Sequence, residues 1–165
     1  MSSSAQIPQY VTNLRAFYEP PSQDLILAIV VFYEQLEPAA DIEQVALRYY
    51  REFIGVYWDR FGESTWMQSW QKVYERPGGQ KPDILSELNA VIYRTYVCDR
   101  LWNLLRLDSG DDCETAQQLL ADAYDHPDVT DLRIYEIGDS DVMQGLLIIG
   151  YRVTGETTAL VLLVD

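Results

Sequence analysis

The chain has 165 residues and a mass of 19.0 kDa, which is the size of one ordinary domain. Hydrophobic residues make up 48% and charged residues 23%, close to the globular average, so wholesale disorder is excluded. Twelve Lys and Arg residues against 26 Asp and Glu residues give a net charge of −14. This charge argues against nucleic acid and anionic membranes as partners, because both select basic surfaces. One His and two Cys residues are too few for the common zinc frameworks.

Targeting signals are not recognisable in the sequence. Residues 1–6 have neither the basic nor the apolar region of a secretory signal. The longest apolar run, residues 25–33, has about half of the ~20 residues that a membrane-spanning helix needs. We therefore expect a cytoplasmic protein in which Cys98 and Cys113 are reduced thiols that pack as small hydrophobic residues.

The first part of the chain has the apolar periodicity of helices. Ser22 has the position of an N-cap, and the chain from there to Pro38 is predicted to form a helix. Residues 41–44 form a capping box, and apolar residues recur behind it at three- and four-residue steps as far as Gly62. Thr65 repeats the cap signal for a short helix. That helix is predicted to carry Trp66, Trp70, Val73 and Tyr74.

Prolines and glycines in residues 76–82 interrupt this pattern, because neither residue type continues a helix. A single long helix is predicted over residues 83–107, ~36 Å in length at 1.5 Å per residue. The last helix is predicted over residues 114–124. In all, about six helices are expected between residues 22 and 124.

After Pro127 the apolar period changes from 3.6 to 2, which is typical of strands. Strands are predicted over residues 132–137, 145–153 and 158–164, and the polar breaks between them have turn chemistry. The sequence therefore predicts one α+β domain over residues 1–165. Its helical part covers about residues 10–125, and a three-stranded antiparallel meander covers about residues 131–164.

The charge is divided unevenly along the chain. Residues 1–107 contain 13 acidic and 10 basic residues, a net charge of −3. Residues 108–165 contain 13 acidic residues and only Arg133 and Arg152 as bases, a net charge of −11. This concentration of negative charge predicts a basic protein partner for the C-terminal region.

Two acidic clusters in this region are candidates for protein contact. The first consists of Asp108, Asp111, Asp112 and Glu114, and the second of Asp139 and Asp141. Counting from Asp108, the positions that an EF-hand loop gives to glycine and glutamate hold Cys113 and Leu119. The first cluster therefore has two alternative roles, as a negatively charged helix start or as a weak cation site. The second cluster lies in a turn, and the same alternatives apply to it.

Aromatic residues are concentrated between Tyr49 and Tyr74, where nine of the 20 lie. Large rings are first of all core residues. Neighbouring residues such as Tyr57 and Trp58 do not share a helix face, so some rings are expected outside the core. A ligand pocket or a protein contact is the alternative. The candidate pocket residues are Tyr50, Trp58, Trp66 and Trp70.

The sequence nominates no catalytic residue, cofactor site or metal site. It contains no nucleophile elbow and no phosphate-binding glycine motif. A Cys–His pair between His126 and either cysteine is conceivable, but no local motif supports it. The glycines at residues 78–79 lie between Arg76 and Lys81, which is compatible with an anion site or with a plain loop. A non-enzymatic protein is therefore favoured.

Three short segments of the meander have a family likeness. Residues 134–138 are Ile-Tyr-Glu-Ile-Gly, residues 147–150 are Leu-Ile-Ile-Gly, and residues 154–157 are Thr-Gly-Glu-Thr. Together they resemble the closing strands of the cyanobacterial nuclease A inhibitor family. Those proteins are small and acidic, and they block a sugar-nonspecific nuclease. The resemblance implies an α/β/α sandwich.

Both faces of the last two predicted strands are apolar, although an antiparallel sheet with one wet face alternates between apolar and polar residues. One face can be covered by helices of the chain. The other needs either a further helix or a second copy of the chain. We expect a homodimer through the sheet, with Ile149 and Val161 in the contact.

These observations favour a cytoplasmic interaction or regulatory protein without enzymatic activity. The first alternative is an acidic inhibitor whose carboxylates imitate a phosphate backbone and occupy a basic active site. The second is a small-ligand-binding protein that uses the aromatic cluster.

Overall fold

The computed structural model of the chain describes residues 6–19, 29–95, 97–108 and 110–164. These residues form seven helices and five strands, in an α+β arrangement. The helices are α1 Gln9–Tyr18, α2 Ile42–Ile54, α3 Val56–Phe61, α4 Glu63–Trp66, α5 Ile84–Ile92, α6 Cys98–Leu104 and α7 Cys113–Tyr124. The strands are β1 Ile29–Gln35, β2 Gln71–Glu75, β3 Val129–Gly138, β4 Gln144–Arg152 and β5 Glu156–Val164. None of these helices has the length and apolarity that a membrane crossing requires.

The strands form one antiparallel sheet with the order β1-β5-β4-β3-β2. The predicted meander is its centre, and in its register Ile134 pairs with Ile148, which pairs with Leu160. The turn between β3 and β4 requires glycine at position 138, because φ is +128° there and a Cβ would lie 2.1 Å from the carbonyl oxygen of Met143.

The sheet has two more strands than the meander that the sequence predicts, and both are at its edges. Residues 29–35 were predicted to be helical but form β1, which pairs with β5. A short apolar run rich in β-branched residues suits a buried strand as well as a buried helix, so periodicity does not separate the two. The predicted cap Ser22 lies outside the described residues. Helix α1 precedes this strand; it lies at the start of the predicted helical part, where the sequence indicated no individual helix.

Strand β2 replaces most of the short helix predicted after Thr65. Only Glu63–Trp66 is helical, and Val73 and Tyr74 lie in a strand that pairs with β3. The register shifts between Lys72 and Tyr74. An exposed edge of β3 would present unpaired backbone groups, and pairing with β2 satisfies them.

The long helix predicted over residues 83–107 is divided into α5 and α6. Thr95 marks the break, and its hydroxyl donates to the carbonyl oxygen of Ile92 at 2.8 Å. A straight helix of ~36 Å would be longer than the central strands, whose 9 or 10 residues span roughly 30–34 Å. The break instead allows Leu101 and Leu105 to fold back into the core, where both are fully buried. The last predicted helix is confirmed as α7.

Helices cover both faces of the sheet. On one face α1, α5, α6 and α7 pack against alternate sheet residues that include Leu132, Leu146 and Leu160. On the other face α2, α3 and α4 pack against the residues between them, such as Ile137 and Leu147. The result is a three-layer arrangement with the same layer order as the α/β/α sandwich that the resemblance implies.

This arrangement corrects the expected route to a homodimer. Ile149 and Val161 are both 0% exposed and belong to the core beneath α2. The second cover that the sheet requires is therefore provided by helices of the same chain. The apolar faces of the sheet therefore no longer give a reason to expect a homodimer.

Candidate protein-contact surfaces

The first acidic cluster lies at the start of α7, as expected if its carboxylates mark the start of a helix. Asp112 is the N-cap residue, but its side chain makes no capping hydrogen bond. It lies 3.4 Å from the guanidinium of Arg106 instead. Asp108, Asp111 and Glu114 are exposed. These carboxylates face solvent and interact with the helix mainly through its dipole.

The two residues of the second acidic cluster differ, because Asp139 is hydrogen-bonded within the protein and Asp141 faces solvent. The Oδ1 atom of Asp139 accepts hydrogen bonds at 2.9 Å from the backbone N–H groups of Asp141, Val142 and Met143. This carboxylate therefore holds the β3–β4 turn together. The side chain of Asp141 is exposed. Among the described residues, no group of three or more His, Cys, Asp or Glu side chains is arranged to hold a metal ion.

The two bases of the acidic region both have internal partners. Arg133 forms two hydrogen bonds to the carboxylate of Asp131, at 2.9 and 3.0 Å, and this contact raises the pKa of Arg133. Arg152 is only 8% exposed; its guanidinium lies 3.9 Å from the ring centre of Tyr10. It donates to two carbonyl oxygens at the end of α7. Neither base is free to neutralise the exposed carboxylates.

The four aromatic residues nominated as a pocket pack against one another. Trp70 is stacked between Tyr50 and Tyr135, with ring centres 5.5 and 4.6 Å away, and Trp58 meets Tyr50 edge to face. The hydroxyl of Tyr50 donates to the carbonyl oxygen of Trp66 at 2.7 Å, and burial raises the pKa of Tyr50 to about 12. This packing favours the core alternative over a ligand pocket.

An exposed apolar patch that the sequence only hinted at lies on α3. Its residues, here called the α3 patch, are Val56, Tyr57 and Phe61, which are 78%, 48% and 55% exposed. Trp58, beside Tyr57 in the sequence, is 3% exposed. The adjacency of Tyr57 and Trp58 was the signal, because neighbours on a helix point to different sides.

The possible anion site around Arg76 is occupied by the protein itself. The Arg76 side chain is 6% exposed and forms two hydrogen bonds to the carboxylate of Glu87, at 2.8 and 2.6 Å. It also donates to the carbonyl oxygen of Tyr124 and lies 3.5 Å from the carboxylate of Asp125. Tyr74 donates to the same carboxylate, and burial raises the pKa of Tyr74. This buried network joins β2, α5 and α7, so the glycines at residues 78–79 form a plain loop beside it.

The conceivable pair of His126 and Cys113 is not formed. Cys113 begins α7 and His126 follows its end, so ~18 Å of helix separates the two residues. His126 accepts a hydrogen bond at Nδ1 from the backbone N–H of Asp128. Cys98 begins α6, where its Sγ atom lies 3.8 Å from Asp99 Oδ1.

Two cavities lie on the face of the sheet opposite the aromatic cluster. One of about 440 Å³ is lined by Lys72, Arg94 and residues of the α5–α6 break. Another of about 510 Å³ lies at the start of α1, beside Tyr10, His126 and Arg152. These cavities are not recognisable in the sequence, because strands, loops and helix ends far apart in the chain form their walls.

Comparison of the chain with protein-family models, with curated proteins and with solved structures finds no match. The likeness of the meander to the nuclease A inhibitors therefore assigns no family. Functional inference depends on the surfaces described above.

Proposed function

We propose that this chain is a non-enzymatic interaction protein that binds a basic protein partner through the exposed carboxylates of residues 108–141. The observation that carries the proposal is the internal pairing of Arg133 and Arg152. Among the described residues, no salt bridge is made by Asp108, Asp111, Glu114 or Asp141.

The carboxylates of Asp108, Asp111 and Glu114 lie close together in sequence at the start of α7, and none of them forms a salt bridge among the described residues. At ~0.15 M salt the screening length is about 8 Å, so the negative charges of such neighbouring exposed carboxylates reinforce one another. The resulting negative field accelerates the encounter with a positively charged surface, and the acceleration falls steeply with ionic strength. The partner class that fits is a protein with a basic face.

The test begins with a pull-down and identification of captured proteins by mass spectrometry. The association rate of a captured basic protein is then measured against ionic strength. We expect roughly a tenfold decrease between ~0.05 and ~0.5 M salt, because steering is screened. A rate that does not change with salt would contradict the proposal.

A matched pair of variants localises the effect. The triple variant Asp111→Asn, Glu114→Gln, Asp141→Asn removes three exposed charges from the proposed surface. The control Glu37→Gln, Glu43→Gln, Asp99→Asn removes three exposed charges elsewhere. Only the first variant should slow association. Equal slowing by both would indicate an effect of net charge alone.

The acidic inhibitor is the second candidate, and the layer order of the fold is the observation that favours it. Its carboxylates would occupy a basic active site in place of a phosphate backbone. Activity of a sugar-nonspecific nuclease, measured with an equimolar amount of this chain, distinguishes the candidates. Inhibition at low salt that disappears at high salt supports the inhibitor, and unchanged nuclease activity at low salt removes it.

A further inference from the structure

We propose that the α3 patch, together with the adjoining surface of α2, is a contact surface for a second copy of this chain. The proposal is independent of the basic partner, since it concerns a different surface and a different physical force. It also replaces the sheet as the route to a homodimer.

The α3 patch is held rigidly in an exposed position. Helix α3 lies between Gly55 and Gly62, whose φ angles are +63° and +91°, so the chain turns sharply at both ends. Trp66 fixes the helix from below, because its Nε1 donates to the carbonyl oxygen of Tyr57 at 2.9 Å. The rings of Tyr57 and Phe61 are stacked, with centres 6.0 Å apart. Rings ordered before binding lose little conformational entropy in a complex.

Three residues of this surface, Tyr57, Arg51 and Arg60, are of the types that are enriched in binding hot spots. Tyr, Trp and Arg dominate the energetics of protein interfaces, and apolar residues that cluster on a surface mark contact sites. Arg60 lies 5.7 Å from the ring centre of Phe61, and Arg51 lies 5.9 Å from that of Trp58. The aromatic centre is therefore bordered by guanidinium groups that can pair with acidic side chains.

Charge identifies the second copy as the occupant. Arg48 pairs with Glu34 of the same chain, so the remaining charges of residues 48–63 are two Arg and three acidic residues, a net charge of −1 on a chain whose total is −14. Two copies repel each other through most surfaces, and this nearly balanced segment allows close approach. The neighbouring opposite charges Arg51–Glu52 and Asp59–Arg60 are all exposed. Across a two-fold axis the same patch meets itself, so Arg51 and Arg60 each have an acidic residue available on the other copy.

Salt dependence separates this inference from the proposed function. Screening weakens the repulsion between two negatively charged copies but leaves the apolar contact in place, so self-association should strengthen as salt rises. Binding of a basic partner should weaken over the same range. Failure of one proposal is therefore visible without failure of the other.

The experiment is sedimentation velocity on the purified chain from ~1 to ~100 µM, at ~0.05 and ~0.5 M salt. We expect a dimer that is more populated at the higher salt concentration. Phe61→Asp should weaken the dimer by about thirtyfold or more, which is the effect of losing a hot-spot residue. Val56→Asp should also weaken it, and the 78% exposure of Val56 makes this second variant safe for folding.

Tyr93→Asp is the matched control, because Tyr93 is 81% exposed at the end of α5, on the other side of the sheet. It should leave the dimer unchanged. Circular dichroism and thermal unfolding check that each variant is folded. A wild-type mass of one chain at ~100 µM in ~0.5 M salt overturns the proposal. The proposal is also overturned if Tyr93→Asp weakens the dimer as much as Phe61→Asp does. It is overturned as well if the α3 patch binds a different protein while the chain stays monomeric.

Discussion

The two faces of the sheet are equally apolar but are covered in different ways. One face is covered by α1, which is distant in sequence, and by α5, α6 and α7, which are joined by connections of five and eight residues. Buried polar contacts join these pieces, above all the Arg76–Glu87 pair. The other face is covered by α2, α3 and α4, which follow one another directly. Stacked rings around Trp70 hold that layer.

This difference indicates that the connections between the helices of a layer are related to the kind of interaction that stabilises the layer. Helices that are joined by longer connections, or that are distant in sequence as α1 is, can shift relative to one another, and directional hydrogen bonds between buried charges fix their positions. Helices α2, α3 and α4 are restricted by one-residue connections, so ring packing is sufficient for them. Three variants test this comparison.

The largest effect is expected from Glu87→Ala. It removes the main carboxylate partner of the buried Arg76 guanidinium, which keeps only the longer 3.5 Å contact with Asp125, and removing one partner of a buried ion pair costs about 3–5 kcal/mol. The free energy of unfolding in urea measures the loss. The double variant Arg76→Met, Glu87→Leu removes both charges and should recover part of it. If Glu87→Ala has the same free energy of unfolding as the wild type, the Arg76–Glu87 pair does not stabilise the packing on this face.

An intermediate effect is expected from Trp70→Ala on the other face. The substitution removes a half-buried ring that is stacked on both sides, and we expect a loss of about 2–3 kcal/mol. Trp70→Phe keeps a ring in place and should cost less. Urea unfolding of the two variants separates stacking from simple exclusion of water. Equal losses would show that ring contact contributes little.

The smallest effect is expected from Tyr50→Phe, with a characteristic pH dependence. At neutral pH the loss of the buried hydroxyl's hydrogen bonds costs about 1–2 kcal/mol. The pKa of Tyr50 is raised to about 12, so its stabilising contribution is complete below pH 10 and is lost as pH rises from about 10 to 12. Unfolding measured across this range should show a shallower alkaline decrease for Tyr50→Phe. An identical decrease would assign it to other tyrosines.

The sequence predicted the elements whose pattern is local. The meander and α7 have clear periods and turn residues, and the apolar character of both sheet faces was readable from alternation alone. Strand β1 was mistaken for a helix because its identity depends on pairing with β5, far along the chain. The break between α5 and α6 likewise depends on the size of the sheet beneath it.

The candidate surfaces were predictable to a similar extent. Exposure of the carboxylates Asp108, Asp111 and Glu114 follows from a charged helix start. The internal pairing of Arg152 does not follow, because Tyr10 reaches it only in the folded chain. The adjacency of Tyr57 and Trp58 indicated that one ring lies outside the core, but two flanking glycines with positive φ decided which face is exposed.

The position of β5 between β1 and β4 has a consequence for folding during synthesis. Strand β1 emerges early, and its partner β5 is made only after residues 36–155 have been added. Throughout that interval an apolar segment with an open edge has no native strand beside it, which is the condition that favours aggregation. Pairing so distant in sequence also slows closure of the sheet, so we expect refolding on a scale of ~ms to s. Without protection of this nascent strand by a chaperone, aggregation would then limit the yield of folded protein.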